Sequence, residues 1–147
     1  MRRGQTFPLV WLIIPDSADR TALEAAKRLP AGTGILVLQP LAADDERRLR
    51  LRGLIVVAEE RGTAARVHNM RELRSALLAR TPMIFLSPIF PTRSHPEWRA
   101  LPRMRSAALA RLGRRRLFAL GGMDARKFTR IQRLGFQGWA GISAFRT

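Results

Sequence analysis

Leu117-Phe118-Ala119-Leu120-Gly121-Gly122-Met123, then Asp124 to Leu134, then Gly135 to Ala144, is the stretch on which the fold turns. Its opening run is apolar without alternation, as in a parallel strand covered on both faces. Asp124 is suited to cap a helix, Phe128, Ile131 and Leu134 recur at the spacing of one helical face, and Gly135 ends it. Gly138-Trp139-Ala140-Gly141-Ile142 is a second apolar run. Strand, helix and strand within 28 residues approach the length of one βαβ unit, about 30 residues.

The same alternation extends upstream. Short apolar runs occupy Pro8 to Ile14, Gly34 to Leu38, Leu54 to Ala58 and Met83 to Ser87. Helical patterns lie between them: Asp19 to Leu29, a shorter one around Glu46 to Leu51 opened by Asp44 and Asp45, Met70 to Arg80 capped by Asn69, and Met104 to Leu112 before Gly113. Repeated strand–helix alternation calls for one α/β domain over residues 1–147, either an open doubly wound sheet or a (β/α) barrel. No Gly-x-Gly-x-x-Gly or P-loop sequence supports a nucleotide fold. A complete eightfold barrel needs at least about 200 residues, more than the 147 present.

One place breaks the pattern. Only five residues, Glu59 to Thr63, separate Leu54–Ala58 from Ala64–His68. A parallel crossover between paired strands takes a dozen or more, so Ala64–His68 is expected to be a hairpin partner or a loop. The chain runs five residues past Ile142, so no final helix is expected, and the barrel surface this leaves uncovered suggests a homo-oligomer.

Composition excludes several classes. With no cysteine and only His68 and His95 as histidines, a disulfide scaffold, a thiolate zinc site and a His-rich metal site are ruled out. No apolar run reaches the roughly 18 residues of a membrane span, and the short run from Leu9 to Ile14 reads as a strand rather than a leader, so a cytoplasmic protein is expected. The formal net charge is +16, from 27 Lys and Arg against 11 Asp and Glu. Such a charge attracts polyanions, nucleic acid among them. Yet no interleaved aromatic run or zinc-finger spacing accompanies it, and a GC-rich genome would also yield this many arginines. Arg114-Arg115-Arg116 reads as a solvated edge before a strand. Trp11, Trp98 and Trp139 read as packing residues.

Three apolar runs end in small or turn residues: Phe85 to Pro96, Leu117 to Met123 and Gly138 to Ala144. In a parallel sheet these ends share one face. Gly121-Gly122 admits close approach of a ligand to the backbone, and Ile142-Ser143 offers N–H groups and a hydroxyl. Barrels commonly hold phosphate at the loops after their last two strands.

These segments resemble the thiamine phosphate synthase / TenI family. The family's Gly-Pro-(Val/Ile)-(Phe/Tyr)-Pro-Thr strand end is matched by Ser87-Pro88-Ile89-Phe90-Pro91-Thr92, with His95 where the family has Lys. Its Ile-Gly-Gly-Ile is matched by Leu120-Gly121-Gly122-Met123. Its closing Gly-Val-Ala-Val-Ile-Ser-Ala is matched by Gly138-Trp139-Ala140-Gly141-Ile142-Ser143-Ala144. Its Val-Ser-x-His-(Ser/Thr)-x-x-Glu helix start is matched around Arg66-Val67-His68-Asn69-Met70-Arg71-Glu72. Order and spacing agree from about residue 65 to 145.

The resemblance implies a shortened (β/α) TIM-type barrel of six to seven mainly parallel strands. It implies a pocket for thiazole phosphate or thiamine phosphate at Gly121, Gly122, Ile142 and Ser143, with Thr92 matching a pyrophosphate-contacting Thr and His95 available to phosphate. Mg²⁺ would assist pyrophosphate departure in a synthase. Of the family's Gln-x-Arg-x-Lys strand end, however, only Gln39 has a match. The Asn-Asp pair is replaced by Glu59-Glu60, at most a substitute metal carboxylate, and the fourth strand with its Asp is missing. Arg66 stands for the family Ser, and Arg66 and Arg93 are the nearest replacements for lost cations. Three functions are therefore in view: a synthase-like binder with reduced or lost catalysis, a TenI-type thiazole tautomerase using His68 for proton transfer, and a non-enzymatic basic module binding a polyanion.

Overall fold

The computed structural model describes residues 7–146 other than Arg61, Ser94, Arg114 and Arg115, so most of the basic run before Leu117 lies outside the described residues. The chain forms β1 (Val10–Ile14), α1 (Arg20–Lys27), β2 (Gly34–Val37), α2 (Ala43–Leu51), β3 (Ile55–Ala58), β4 (Ala64–Val67), α3 (Met70–Leu78), β5 (Met83–Leu86), α4 (Arg103–Leu112), β6 (Leu117–Ala119), α5 (Ala125–Ile131) and β7 (Gly138–Gly141). Short 3-10 turns follow α5 at Gln132–Leu134 and β7 at Ser143–Phe145.

All seven strands are parallel, in the order β3-β2-β1-β7-β6-β5-β4. The sheet curls into a nearly closed, TIM-like α/β barrel with β3 and β4 at its two lips. This resolves the choice left open by alternation alone in favour of the barrel. It also corrects the reading of Ala64–His68: β4 is a parallel strand paired with β5, neither a hairpin partner nor a loop. The dozen-residue crossover applies where the chain must wind round to lie beside the strand it left. Here β3 and β4 do not pair. The link turns immediately before β4, where Glu60 O accepts from Thr63 N and Ala64 N at 3.0 and 3.1 Å.

Strand faces divide the core. Trp11 and Ile13 point into the barrel, whereas Leu12 and Ile14 pack outward with Ala22, Leu23 and Ala26 of α1. Inside, Trp11 meets Phe85 and Phe118 edge-on at 5.7 and 5.9 Å, and the two phenylalanines stack at 5.1 Å. The interior is thus a plug of offset and T-shaped rings, the arrangements that ring quadrupoles favour. Gly34 makes room for it, because a Cβ there would lie 2.4 Å from the Trp11 ring.

Three of the five helices, α1, α3 and α5, start at a side-chain cap. Asp19, Asn69 and Asp124 accept from the N–H of Ala22, Glu72 and Lys127 at 3.0, 2.9 and 2.7 Å. The second helix begins at Ala43, three residues before the expected Glu46, so Asp44, Asp45 and Glu46 occupy its first turn, where negative charge is favourable. Among the described residues, no helix is long and apolar enough to cross a membrane.

Candidate functional site

Because every strand runs the same way, the loops after β5, β6 and β7 meet at one end of the barrel. There they line a cavity of about 60 Å³. Of the residues singled out from the sequence, Thr92, His95, Gly121, Gly122, Ile142 and Ser143 all line it. Pockets that engulf a whole small molecule run to about 300–1,000 Å³. A cavity this small takes one compact group and leaves the rest of a ligand at the mouth.

The double glycine builds one wall. Gly121 and Gly122 have φ of +96° and +59°, conformations open to glycine at little cost. Side chains are also sterically barred: a Cβ at Gly121 would lie 2.8 Å from Pro88 Cα, and one at Gly122 would lie 2.2 Å from Pro91 O. The carbonyls of the turn are all held by neighbouring donors. Leu120 O accepts from Ile89 N at 2.9 Å, Gly121 O from Phe90 N at 3.1 Å, and Gly122 O from Lys127 Nζ at 2.8 Å. Across a trans peptide the N–H points away from its carbonyl. Among the described residues, no backbone carbonyl accepts from the N–H of Gly121, Gly122 or Met123. Three donors are therefore available beside the cavity, an arrangement suited to an anion.

Cationic side chains flank this wall. Arg66 of β4 lines the cavity. Arg93 and Lys127 line an adjoining hollow that shares Gly122, Met123 and Ser143 with it. Lys127 was not singled out from the sequence, although it is one of only two lysines among 27 basic residues. The other, Lys27, is paired with Glu24 on α1.

The two histidines have different places. His95 lines the cavity, lies flat on Trp98 at 3.9 Å, and has Nδ1 3.3 Å from Glu97. His68 stands behind Trp98, edge-on at 5.5 Å, and is absent from the cavity lining. Its backbone N–H donates to Glu72 Oε2 at 2.7 Å, and its Nδ1 is 3.0 Å from the same oxygen. Glu72 reaches back over the start of α3 in the manner of a capping box. Trp98, expected to serve packing, is 40% exposed at the cavity mouth.

The carboxylates named as substitute metal ligands are turned elsewhere. Glu59 is held by Arg66, with Nε 2.5 Å from Oε2 and Nη2 3.2 Å from Oε1. Glu60 is exposed, and both glutamates border a hollow beside α3 rather than the cavity. No group of three or more His, Asp or Glu among the described residues could hold a metal. Magnesium wants oxygen ligands in near-octahedral array, usually a carboxylate or two plus substrate phosphates. With Glu59 bound to a guanidinium and neither carboxylate in the lining, the described residues do not fit such a site.

The family model described as thiamine monophosphate synthase matches residues 55–145, which include every cavity-lining residue except Ile13. Among solved structures, thiamine phosphate pyrophosphorylase from Bacteroides thetaiotaomicron superposes with a TM-score of 0.54 at 14% identity, covering 94% of this chain and 84% of that one. At that identity the likeness concerns the fold alone. No curated protein matches the chain.

Proposed function

The chain belongs to the thiamine monophosphate synthase family, and from that premise we propose that it binds thiazole phosphate or thiamine phosphate at the ends of β5, β6 and β7, with metal-assisted condensation reduced or lost. The observation that carries this reading is the double-glycine turn, whose carbonyls are held by Ile89, Phe90 and Lys127 while Gly121 and Gly122 line the cavity. The phosphate would take the N–H groups of Gly121 and Gly122 and the Ile142–Ser143 segment. The ring would lie toward Thr92 and His95 at the mouth. The protein would act in the cytoplasm.

Loss of the metal side follows from Glu59. A synthase relies on electrostatic stabilisation of a departing pyrophosphate, a large term in such reactions. The carboxylate left to hold a cation is engaged by Arg66. A tautomerase-type proton transfer is the second reading. It finds its imidazole in His95, which lines the cavity, rather than in His68, which Glu72 holds behind Trp98.

Thermal unfolding tests the main reading. The purified protein is melted at fixed ionic strength with thiazole phosphate, thiamine phosphate or inorganic phosphate, with and without Mg²⁺. A ligand at a hundredfold excess over Kd stabilises by about 2.7 kcal/mol, roughly 5–10 °C for a chain of this size. A shift of that size for the thiazole compounds, independent of Mg²⁺, is expected. A shift no larger than that of inorganic phosphate would overturn the reading.

A further inference from the structure

The net positive excess lies almost entirely in one part of the chain. Residues 1–60 hold nine Lys and Arg against eight Asp and Glu, whereas residues 61–147 hold eighteen against three. Arginine-rich coding would raise the bases in both parts alike. It would not strip carboxylates from one.

Eight of these eighteen bases lie on the three helices of one wall. Helices α3, α4 and α5 follow β4, β5 and β6, which are neighbours in the sheet. Arg103 Nη2 of α4 donates to Arg130 O of α5 at 3.1 Å. Across a hollow of about 370 Å³, Arg71 of α3 faces Arg105 of α4. The two carboxylates of this wall are engaged, Glu72 at the start of α3 and Asp124 as the cap of α5.

The supply of carboxylates separates the two sides of the barrel. On α1 and α2, Arg20, Lys27 and Arg50 pair with Asp45, Glu24 and Glu46, while the exposed Arg28, Arg47, Arg48 and Arg52 form no ion pair among the described residues. On the other wall, Arg71, Arg74, Arg105, Arg111, Arg130 and Arg133 are exposed, and among the described residues none forms an ion pair. Unpaired guanidiniums spread over three adjacent helices match a partner bearing many spaced phosphates, which Arg binds bidentately.

We propose that the α3–α4–α5 wall binds the phosphate backbone of duplex nucleic acid without sequence preference. Phe128, the one aromatic residue of these helices, is half-buried, so base stacking is not part of the contact. A lipid surface is the poorer match, because an interfacial helix buries a broad apolar face; Leu73, Ala76, Leu109 and Ala110 pack theirs against the outer face of the sheet, and the exposed Met70, Leu78, Met104 and Leu112 are interspersed with arginines. This inference is independent of the ligand assigned to the cavity.

Fluorescence anisotropy with a labelled 20-base-pair duplex tests it. One variant carries Arg71→Glu, Arg74→Glu and Arg105→Glu. The control, with the same charge change on α2 and its C-terminal cap, carries Arg47→Glu, Arg48→Glu and Arg52→Glu. The wall variant should bind at least tenfold more weakly, with its salt slope reduced by about 3, while the control stays within threefold of the parent. Circular dichroism melts establish folding, and the corresponding Arg→Gln set substitutes if the Glu set does not fold. Equal losses in both variants would reduce the effect to net charge and overturn the proposal. So would absence of duplex binding in 0.1 M salt (about one Debye length of 10 Å), or displacement of the duplex by phosphatidylserine vesicles.

Discussion

Arg66 on one lip of the barrel clasps Glu59 from the other lip with two hydrogen bonds, Nε to Oε2 at 2.5 Å and Nη2 to Oε1 at 3.2 Å. The strands that carry or precede these residues, β4 and β3, share no ladder. The ion pair therefore joins the seam at the cavity end, where backbone pairing does not. It also fixes one cavity-lining cation and withdraws a carboxylate from metal binding. Both side chains are about a third exposed, so solvent screening limits the pair to about 1 kcal/mol. Glu59→Gln should lower the melting temperature by roughly 2–4 °C and leave the thiazole phosphate shift intact, with no Mg²⁺ requirement in parent or variant. A Mg²⁺-dependent shift in the parent that vanishes in Glu59→Gln would instead make Glu59 a metal ligand.

The double glycine separates ligand binding from ordinary turn strain. Gly122→Ala places a Cβ against Pro91 O in a left-handed turn. The conformation alone costs about 1–2 kcal/mol, and the contact displaces the loop that shapes the cavity. Gly62 has a similar φ of +85° but open space around it. Gly62→Ala should thus lower the melting temperature by a few degrees and preserve ligand binding, whereas Gly122→Ala should abolish the ligand shift. Calorimetric titration of both with thiazole phosphate checks this. Equal affinity in the two variants would remove the turn from the site.

The histidines can be told apart in the same titration. His95→Ala removes a cavity wall and the ring stacked on Trp98. A loss of about tenfold in affinity is expected, as for one hydrogen bond to a charged group of about 1.5 kcal/mol. His68→Ala removes a ring behind Trp98 and leaves the backbone N–H that Glu72 accepts from, so affinity should stay within about twofold. The reverse order would restore His68 as the residue that meets the ligand.

Much of this arrangement was legible before the structure, and the parts that were not share a cause. Asn69 and Asp124 identified helix starts, Gly135 a stop, and Leu117–Ala119 a strand, because capping and burial act within a few residues. Gly121, Gly122, Ile142 and Ser143 converge because parallel strands place their ends together. The strand Ala64–Val67 was misread because the crossover rule presumes that consecutive strands pair, and only the closed topology shows that these two sit at opposite lips. The Arg66–Glu59 clasp is a consequence of that topology. Likewise, Trp98 reaches the cavity mouth because the loop after β5 folds back, with Leu101 N donating to Pro88 O at 2.8 Å. No local pattern encodes either contact.

Lys127 offers the sharpest check on how the phosphate wall is built. Its Nζ donates to Gly122 O at 2.8 Å, and it borders the hollow that adjoins the cavity beside Ser143. Its backbone N–H is separately held by Asp124, so removing the side chain leaves the α5 cap in place. Lys127→Met keeps an unbranched side chain of similar bulk and deletes the charge, its cation–π contact with Phe90 and the tie on the turn. Stability should fall by about 1 kcal/mol, the usual worth of a part-exposed hydrogen bond. Affinity for thiazole phosphate should fall more steeply, since the turn loses an anchor and the anion loses a nearby cation. Measuring the loss at low and high salt divides the two causes. A loss that vanishes at high salt is electrostatic attraction alone, whereas a loss that persists shows that the lysine holds the Gly121–Gly122 amides in position.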